Sequence, residues 1–559
     1  MVSPRALSPK QLKNERALKL YAASLCGILA ILIIGHWLNR VIQRFSHRSS
    51  SKEDPASSLR GPLLYWRRLE ILLSKKVPGL PSLGHALILG LFLAVNLILS
   101  FTSIVSLATN YLASRFGWLA TANMALGVFL GQKNTPLAFL ISAPYNYLNI
   151  FHRLVGFTSL FQVLLHAIFY MIYFGGQKGE WATLIEVENR EGIVAGIIML
   201  ILLMGIFRHL NYELFYVMHI VAFMLTLILL ALHRPDWKKK VPVAVVFIAS
   251  IWVADRIIRG VRLLYNLTNN SATIDSLPDG GTRLILKKQL PGATPGSHCF
   301  VWIPAVRMCQ THPFTIVSNS SSGLELVMKS HKGFTKAALE FAQSKAGHRV
   351  MASVDGPYGS LPNLSRYDKL ILIAGGSGAT FTFGLAANFV KHLETRSIES
   401  TQSMSFIWAV KKTNHLGWFK EHLSALKTHS SHVAVKLHVT GQELFSSPDL
   451  TMEKKSQEVT SNITATKAHD SMNDNIEANT SGNSSDDSPD AVEYEEVVYG
   501  KMIPENTILQ AMQHLNKNSR VLIAACGPVS LLDAVATTVG SLDVAEVPII
   551  EVHYEKFDW

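Results

Sequence analysis

The chain has 559 residues, room for three to five domains at about 100–200 residues each. Apolar residues make up 48% and charged residues 16%, against about 25% charged in soluble domains, which excludes an ordinary soluble protein and a disordered one. The net charge is +12, and four cysteines (Cys26, Cys299, Cys309, Cys526) without a Cys-x-x-Cys pair exclude a disulfide scaffold or thiolate zinc site as organising principle.

The apolar runs come first. They predict about seven membrane spans near 20–38, 84–106, 112–131, 151–174, 192–207, 214–233 and 241–258, several approaching the ~20 residues that cross a bilayer core. The third and fifth are short. Residues 1–83 read as an N-terminal span and basic loop, and 84–262 as a helical membrane domain. Beyond Asn266 short β-rich runs appear, Thr282–Lys287 and Gly323–Lys329, and 263–365 reads as a β-rich domain. From Asp368 strands alternate with helical patterns (Lys369–Ala374, Phe381–Leu393, Ser405–Val410), so 366–559 reads as a parallel α/β domain. Within it, 441–500 carries 13 Asp/Glu against 3 Lys/Arg and is polar enough to be expected as a disordered insertion.

Charge sets the expected topology. Residues 40–76 hold nine Lys/Arg, and Arg256, Arg259 and Arg262 follow the last span. The positive-inside rule places both segments, and with them the soluble half, in the cytosol of a multi-pass membrane protein. Lys238–Lys240 fall on the opposite side. The basic residues suit lipid headgroups, and no aromatic-interleaved basic motif points to nucleic acid.

Two spans carry paired histidines. FHRLVGFTSLFQVLLHAIFY holds His152 and His166, and YELFYVMHIVAFMLTLILLALH holds His219 and His233. Each pair is 14 residues apart, about 21 Å along a helix and nearly four full turns, so its members share a face. Parallel neighbours so marked oppose His152 to His219 and His166 to His233, an axial arrangement for two haems. Packing histidines, a metal-ion site and a proton relay are the alternatives; ionisable groups in spans are usually functional.

These two helices, with LGQKNTPLAFLISAPYNYLNIFHRLVG (130–156), resemble fungal ferric reductases and NADPH oxidases. The short N-terminus and acidic insertion look like the small yeast branch of metalloreductases, one member type of which is a superoxide-producing oxidase. The soluble half is similar to the same family, which implies a ferredoxin-NADP reductase-like module with a β-barrel FAD domain over 263–365 and an α/β NADP domain over 366–559. His312-Pro313-Phe314-Thr315 matches the family's flavin strand, preceded by PGSHCFVWIP. Lys329 matches its cation against the FAD pyrophosphate, and Gly333 and Thr335 match a phosphate-facing helix start. The turn Gly375-Gly376-Ser377-Gly378-Ala379-Thr380, between a strand and a helix, suits a pyrophosphate of NADP. Cys526-Gly527-Pro528 matches the segment beside nicotinamide, and Phe557 or Trp559 the terminal aromatic over the flavin. Lys411 and Lys412 are either a surface pair or a site for the NADPH 2′-phosphate.

The resemblance implies an oxidoreductase that passes electrons from NADPH through FAD and two b-type haems to ferric or cupric ion across the membrane, with dioxygen as the competing acceptor. No acid–base catalyst is expected, because the cofactors carry the chemistry. The reading from another class is a non-enzymatic membrane scaffold with a degenerate dehydrogenase domain. The sequence names no protein partner.

Overall fold

A computed structural model describes residues 8–49, 77–141, 145–203, 210–395, 401–441, 497–517, 519–542 and 547–556, with isolated positions from 69 to 75 and from 205 to 208. Residues 442–496 of the acidic insertion, most of the basic loop 40–76, and Phe557 and Trp559 lie outside the described residues. The chain divides into two compact units, 1–262 and 263–558.

The first unit is helical. Its main elements are α1 (Pro9–Ser49), α2 (Leu83–Phe101), α3 (Thr109–Gly131), α4 (Tyr145–Met171), α5 (Val187–Leu202), α6 (Tyr212–His233) and α7 (Val241–Leu267, which runs on into the second unit). Helices sit at all seven expected places. Five of them, α1, α2, α4, α6 and α7, are long and apolar enough to cross a membrane. Helix α5 has 16 residues, about 24 Å, and α3 carries Arg115 and Asn123 among its apolar residues. Helix α2 stops at Phe101, short of the expected 106, because the Thr102 hydroxyl donates to the Ile98 carbonyl and Ser103 turns to a φ of +51°.

Those two polar residues of α3 are buried and satisfied. The Arg115 guanidinium donates to Asn14 Oδ1 at 2.8 Å and to the carbonyls of Leu99, Thr102 and Ser103 at 2.5, 2.8 and 2.9 Å. Asn123 accepts from the Tyr21 hydroxyl and donates to Asn96 and Gln162, each at 2.7 Å. Buried polar groups in an apolar bundle persist only when paired. These pairs tie α1, α2, α3 and α4 together.

The second unit begins with a seven-stranded antiparallel sheet: β1 (Ser271–Leu277), β2 (Gly281–Leu286), β3 (His298–Trp302), β4 (His312–Ser320), β5 (Gly323–Lys329), β6 (Arg349–Met351) and β7 (Ser353–Tyr358), in the order β6-β1-β2-β5-β4-β3-β7. Helix α8 (Phe334–Ser344) packs against β1 and β2. The core of this β-barrel includes Ile274, Leu284, Leu326 and Phe334. Next comes a six-stranded parallel sheet of β8 (Lys369–Gly375), β9 (Ser403–Val410), β10 (Val433–Val439), β11 (Val497–Tyr499), β12 (Arg520–Cys526) and β13 (Ile549–Glu555), in the order β11-β10-β9-β8-β12-β13. Helices α9 (Ala379–Thr395), α10 (Lys420–Lys427), α11 (Pro504–Met512) and α12 (Val529–Ser541) connect these strands. Leu370–Ala374 are buried on both faces, so β8 reads as an unbroken apolar run rather than an alternating one.

Barrel and sheet interlock within this unit. A Cβ on Gly384 of α9 would collide with the backbone of Gly296, and Asn388 donates to the Pro295 carbonyl at 2.7 Å. The β1–β2 turn is held from the other domain: Trp418 Nε1 donates to the Pro278 carbonyl at 2.8 Å and Lys412 Nζ pairs with Asp279 at 3.0 Å. Beneath them, Glu325 of β5 is ion-paired with Arg283 of β2 at 3.3 Å and accepts from His422 of α10 at 3.1 Å.

Candidate functional site

The structure brings the four intramembrane histidines together in the expected pairs. The rings of His152 and His219 lie 6.2 Å apart between centroids with planes at 65°, and those of His166 and His233 lie 6.3 Å apart at 89°. Three of the four share one device. The Nδ1 of His152 bonds to the Gly127 carbonyl at 2.7 Å, that of His166 to Ala113 at 2.8 Å, and that of His233 to Glu188 at 2.7 Å. A carbonyl accepts only from N–H, so each Nδ1 carries the proton and each Nε2 keeps its lone pair. The Nδ1 of His219 is buried with no hydrogen-bond partner. Among the described residues no group of three or more His, Cys, Asp or Glu is placed to hold a bare metal ion.

His312, Pro313, Phe314 and Thr315 open β4 and pair there only with β3, Thr315 opposite His298 and Pro313 opposite Phe300. Pro313 is tolerated because β4 meets β5 only from Ile316 onward, so no ladder bond to β5 is lost. The His312 ring stacks on Phe334 at 4.5 Å, and Thr315 is buried. Nearby, Tyr358 donates to the buried carboxylate of Asp355 at 2.9 Å and stacks on His298. Burial, then Asp355, pushes the Cys299 thiol up, so it stays protonated.

Lys329 ends β5, and Gly333, at φ +68°, precedes α8. The Thr335 hydroxyl accepts from the His331 N–H at 2.9 Å and thereby shapes that loop. Lys329, Lys411 and Lys412 converge on His415. Burial lowers the pKa of this histidine first, Asp279 opposes, and the three lysines add to the lowering. Lys412 is already ion-paired with Asp279, which favours the surface-pair reading for it.

The glycine-rich turn and the Cys-Gly-Pro segment meet at the carboxyl ends of neighbouring strands, Cys526 of β12 opposite Ala374 of β8. The chain leaves β8 for β9 on one side and returns to β12 on the other, so this is the crevice where open α/β sheets bind ligands. Gly376 has a φ of +56°, and its carbonyl accepts from Trp408 Nε1 at 3.0 Å. A Cβ on Gly378 would collide with the Cys526 carbonyl, and one on Gly375 would press on Pro528 at 2.8 Å; one on Gly527 would come within 3.0 Å of Gly375. Ser377 and Thr380 are linked, the Thr380 hydroxyl donating to the Ser377 carbonyl at 3.1 Å, and Ala379 starts α9. Cys526 is fully buried, and burial, then Glu555, holds its thiol well above the usual range. A thiolate nucleophile at this position is therefore unsupported. Glu555, the last residue of β13, pairs with Cys526.

Comparison with known proteins follows this division. Residues 116–230 match the family "Ferric reductase like transmembrane component", 267–361 a FAD-binding domain and 367–540 the "Ferric reductase NAD binding domain". The chain thus carries a ferric-reductase-like transmembrane domain, a FAD-binding domain and a ferric-reductase-type NAD-binding domain. It is 26% identical over 85% of its length to ferric reductase transmembrane component 3 of Saccharomyces cerevisiae, covering 66% of that protein. It is 26% identical over 73% of its length to that yeast's ferric/cupric reductase transmembrane component 2, and 28% identical over 76% to its ferric reductase transmembrane component 4, covering 59% of each. The chain thus spans less than two thirds of these relatives. With its apolar helices, this ferric-reductase-like chain is a multi-pass membrane protein.

Sequence reasoning found the histidines but missed what holds them. Gly117 and Gly131 on α3 repeat the 14-residue spacing of His166 and His152 on α4, a signal visible only once the two helices are known to be antiparallel neighbours.

Proposed function

We propose that the chain carries electrons from NADPH, through FAD and two b-type haems, to ferric or cupric ion on the opposite side of the membrane. The observation that carries this reading is the pair of facing imidazoles at two depths. Two imidazoles that held one metal through bonds of about 2 Å, each ring centre about 1 Å behind its nitrogen, would lie about 6 Å apart, and the two separations are 6.2 and 6.3 Å. The donor set fits haem iron: Nδ1–H on a carbonyl leaves Nε2 for the metal and raises its basicity. Bound there, flavin would supply the conversion of a two-electron hydride into the single electrons that haem iron can accept.

The residues of this chain bind and orient. His312 to Thr315 line the flavin strand, while Lys329, Gly333 and Thr335 face the FAD pyrophosphate. Residues 375–380 offer backbone N–H groups and a helix start to the dinucleotide. Cys526, Gly527 and Pro528 shape the nicotinamide side with a neutral thiol. Helix α6 runs from His219 to His233 and α7 carries the chain back, so in this reading the soluble half lies in the cytosol on the side of His152 and His219. His166 and His233 then face the acceptor, in the endoplasmic reticulum or plasma membrane.

The test is haem counting. His166→Ala is expected to leave one haem per chain, keep NADPH-driven flavin reduction, and abolish transfer across the bilayer. Two haems per chain in that variant would refute the ligand assignment.

A further inference from the structure

Helix packing explains why three of the histidines can reach a carbonyl at all. In an α-helix the carbonyl of residue i is covered by the side chain of residue i+4, because Cβ atoms tilt toward the N-terminus. The three accepting carbonyls belong to Ala113, Gly127 and Glu188. The residues four positions on are Gly117, Gly131 and Gly192. A Cβ on Gly117 would stand 2.6 Å from His166 Nδ1 and one on Gly131 would stand 3.1 Å from His152 Nδ1, while one on Gly192 would collide with His233 Nδ1. Other glycines of the same helices make no such contact: Gly127 and Gly196 would place a Cβ 3.7 and 3.8 Å from valine methyl groups, ordinary van der Waals distances.

We propose that Gly117, Gly131 and Gly192 are positioning residues for the iron-ligating imidazoles, each holding open the carbonyl that fixes one histidine's tautomer and ring plane. The inference rests on the haem reading above. It makes the two centres unequal. Both rings of the His166/His233 pair are anchored, whereas in the other pair only His152 is. His233 meets Glu188, so fourteen residues earlier the same antiparallel register brings His219 to Leu202, where α5 ends. The buried, unpartnered Nδ1 of His219 is the result.

The experiment uses the full chain purified in detergent, with haem and flavin counted per chain and the low-spin electron paramagnetic resonance of each haem recorded. Wild type should hold two haems, and a haem-free wild type would overturn the haem reading itself. Gly117→Ala and Gly192→Ala should each lose or shift the signal of the His166/His233 haem alone, with the other haem and the flavin retained. Gly131→Ala, the mildest misfit, should keep two haems and shift only the His152/His219 signal, which keeps the test decisive if the other two variants fail to fold. Gly196→Ala, whose added methyl group would meet only a valine at 3.8 Å, should match wild type. Unchanged signals in the first three variants, or equal haem loss in Gly196→Ala, would overturn the proposal.

Discussion

Replacing Glu325 by Gln tests how barrel and sheet are held together. The carboxylate is 15% exposed, accepts from His422 at 3.1 Å and is ion-paired with Arg283 at 3.3 Å. Burial pulls its pKa up, but the His422 hydrogen bond and charge, with Arg283, win and hold it below the ordinary value. Glutamine keeps the shape and loses the charge. Hydrogen bonds to charged groups contribute about 1.5–3 kcal/mol each, and Arg283 keeps its 2.9 Å bond to the Trp418 carbonyl. A net loss of about 2 kcal/mol follows, about 4–8 °C in the melting of a unit of this size. The assay is thermal release of flavin from the full-length protein, followed by its fluorescence. A depressed carboxylate pKa contributes stability above its unfolded value of about 4.3, and that contribution disappears as pH falls through the lower folded value. The gap between wild type and Glu325→Gln should therefore be full at neutral pH and close on acidification below about pH 4. Equal melting at neutral pH would refute the reasoning.

Thr315→Ala removes a buried hydroxyl from the proposed flavin strand and should weaken FAD retention by roughly 5–10-fold, the equivalent of about one hydrogen bond; unchanged flavin stoichiometry after dilution and gel filtration would count against the site. Gly378→Ala drives a methyl group into the Cys526 carbonyl, so it should raise KM for NADPH at least tenfold while bound FAD is retained. Stopped-flow flavin reduction measures this, and wild-type kinetics would show that the two loops do not form one nucleotide site.

The readable parts of the sequence were those where chemistry is periodic or local. Strand β5 was expected at Gly323–Lys329 and is found there, because its apolar run ends at Gly and at a loop. The histidines stood out because imidazole is costly in lipid and their spacing is nearly four helical turns. Less was legible where meaning depends on a distant partner. Arg115 looks like an interruption of an apolar run until Asn14 and four backbone carbonyls surround it. Lys412 stays open between a surface residue and a phosphate ligand until Asp279, 133 residues away, pairs with it. Glycines 117 and 131 look like ordinary small residues of a membrane helix. Their role follows from register, which a single sequence does not display.

The most direct measurement places the protein in liposomes with NADPH and FAD on the dehydrogenase side and a ferric chelate trapped inside, under argon. The account predicts ferrous product inside the vesicles, unaffected by superoxide dismutase and absent in His166→Ala. Iron reduction that requires oxygen and disappears with the dismutase would contradict direct metal reduction and make dioxygen the acceptor.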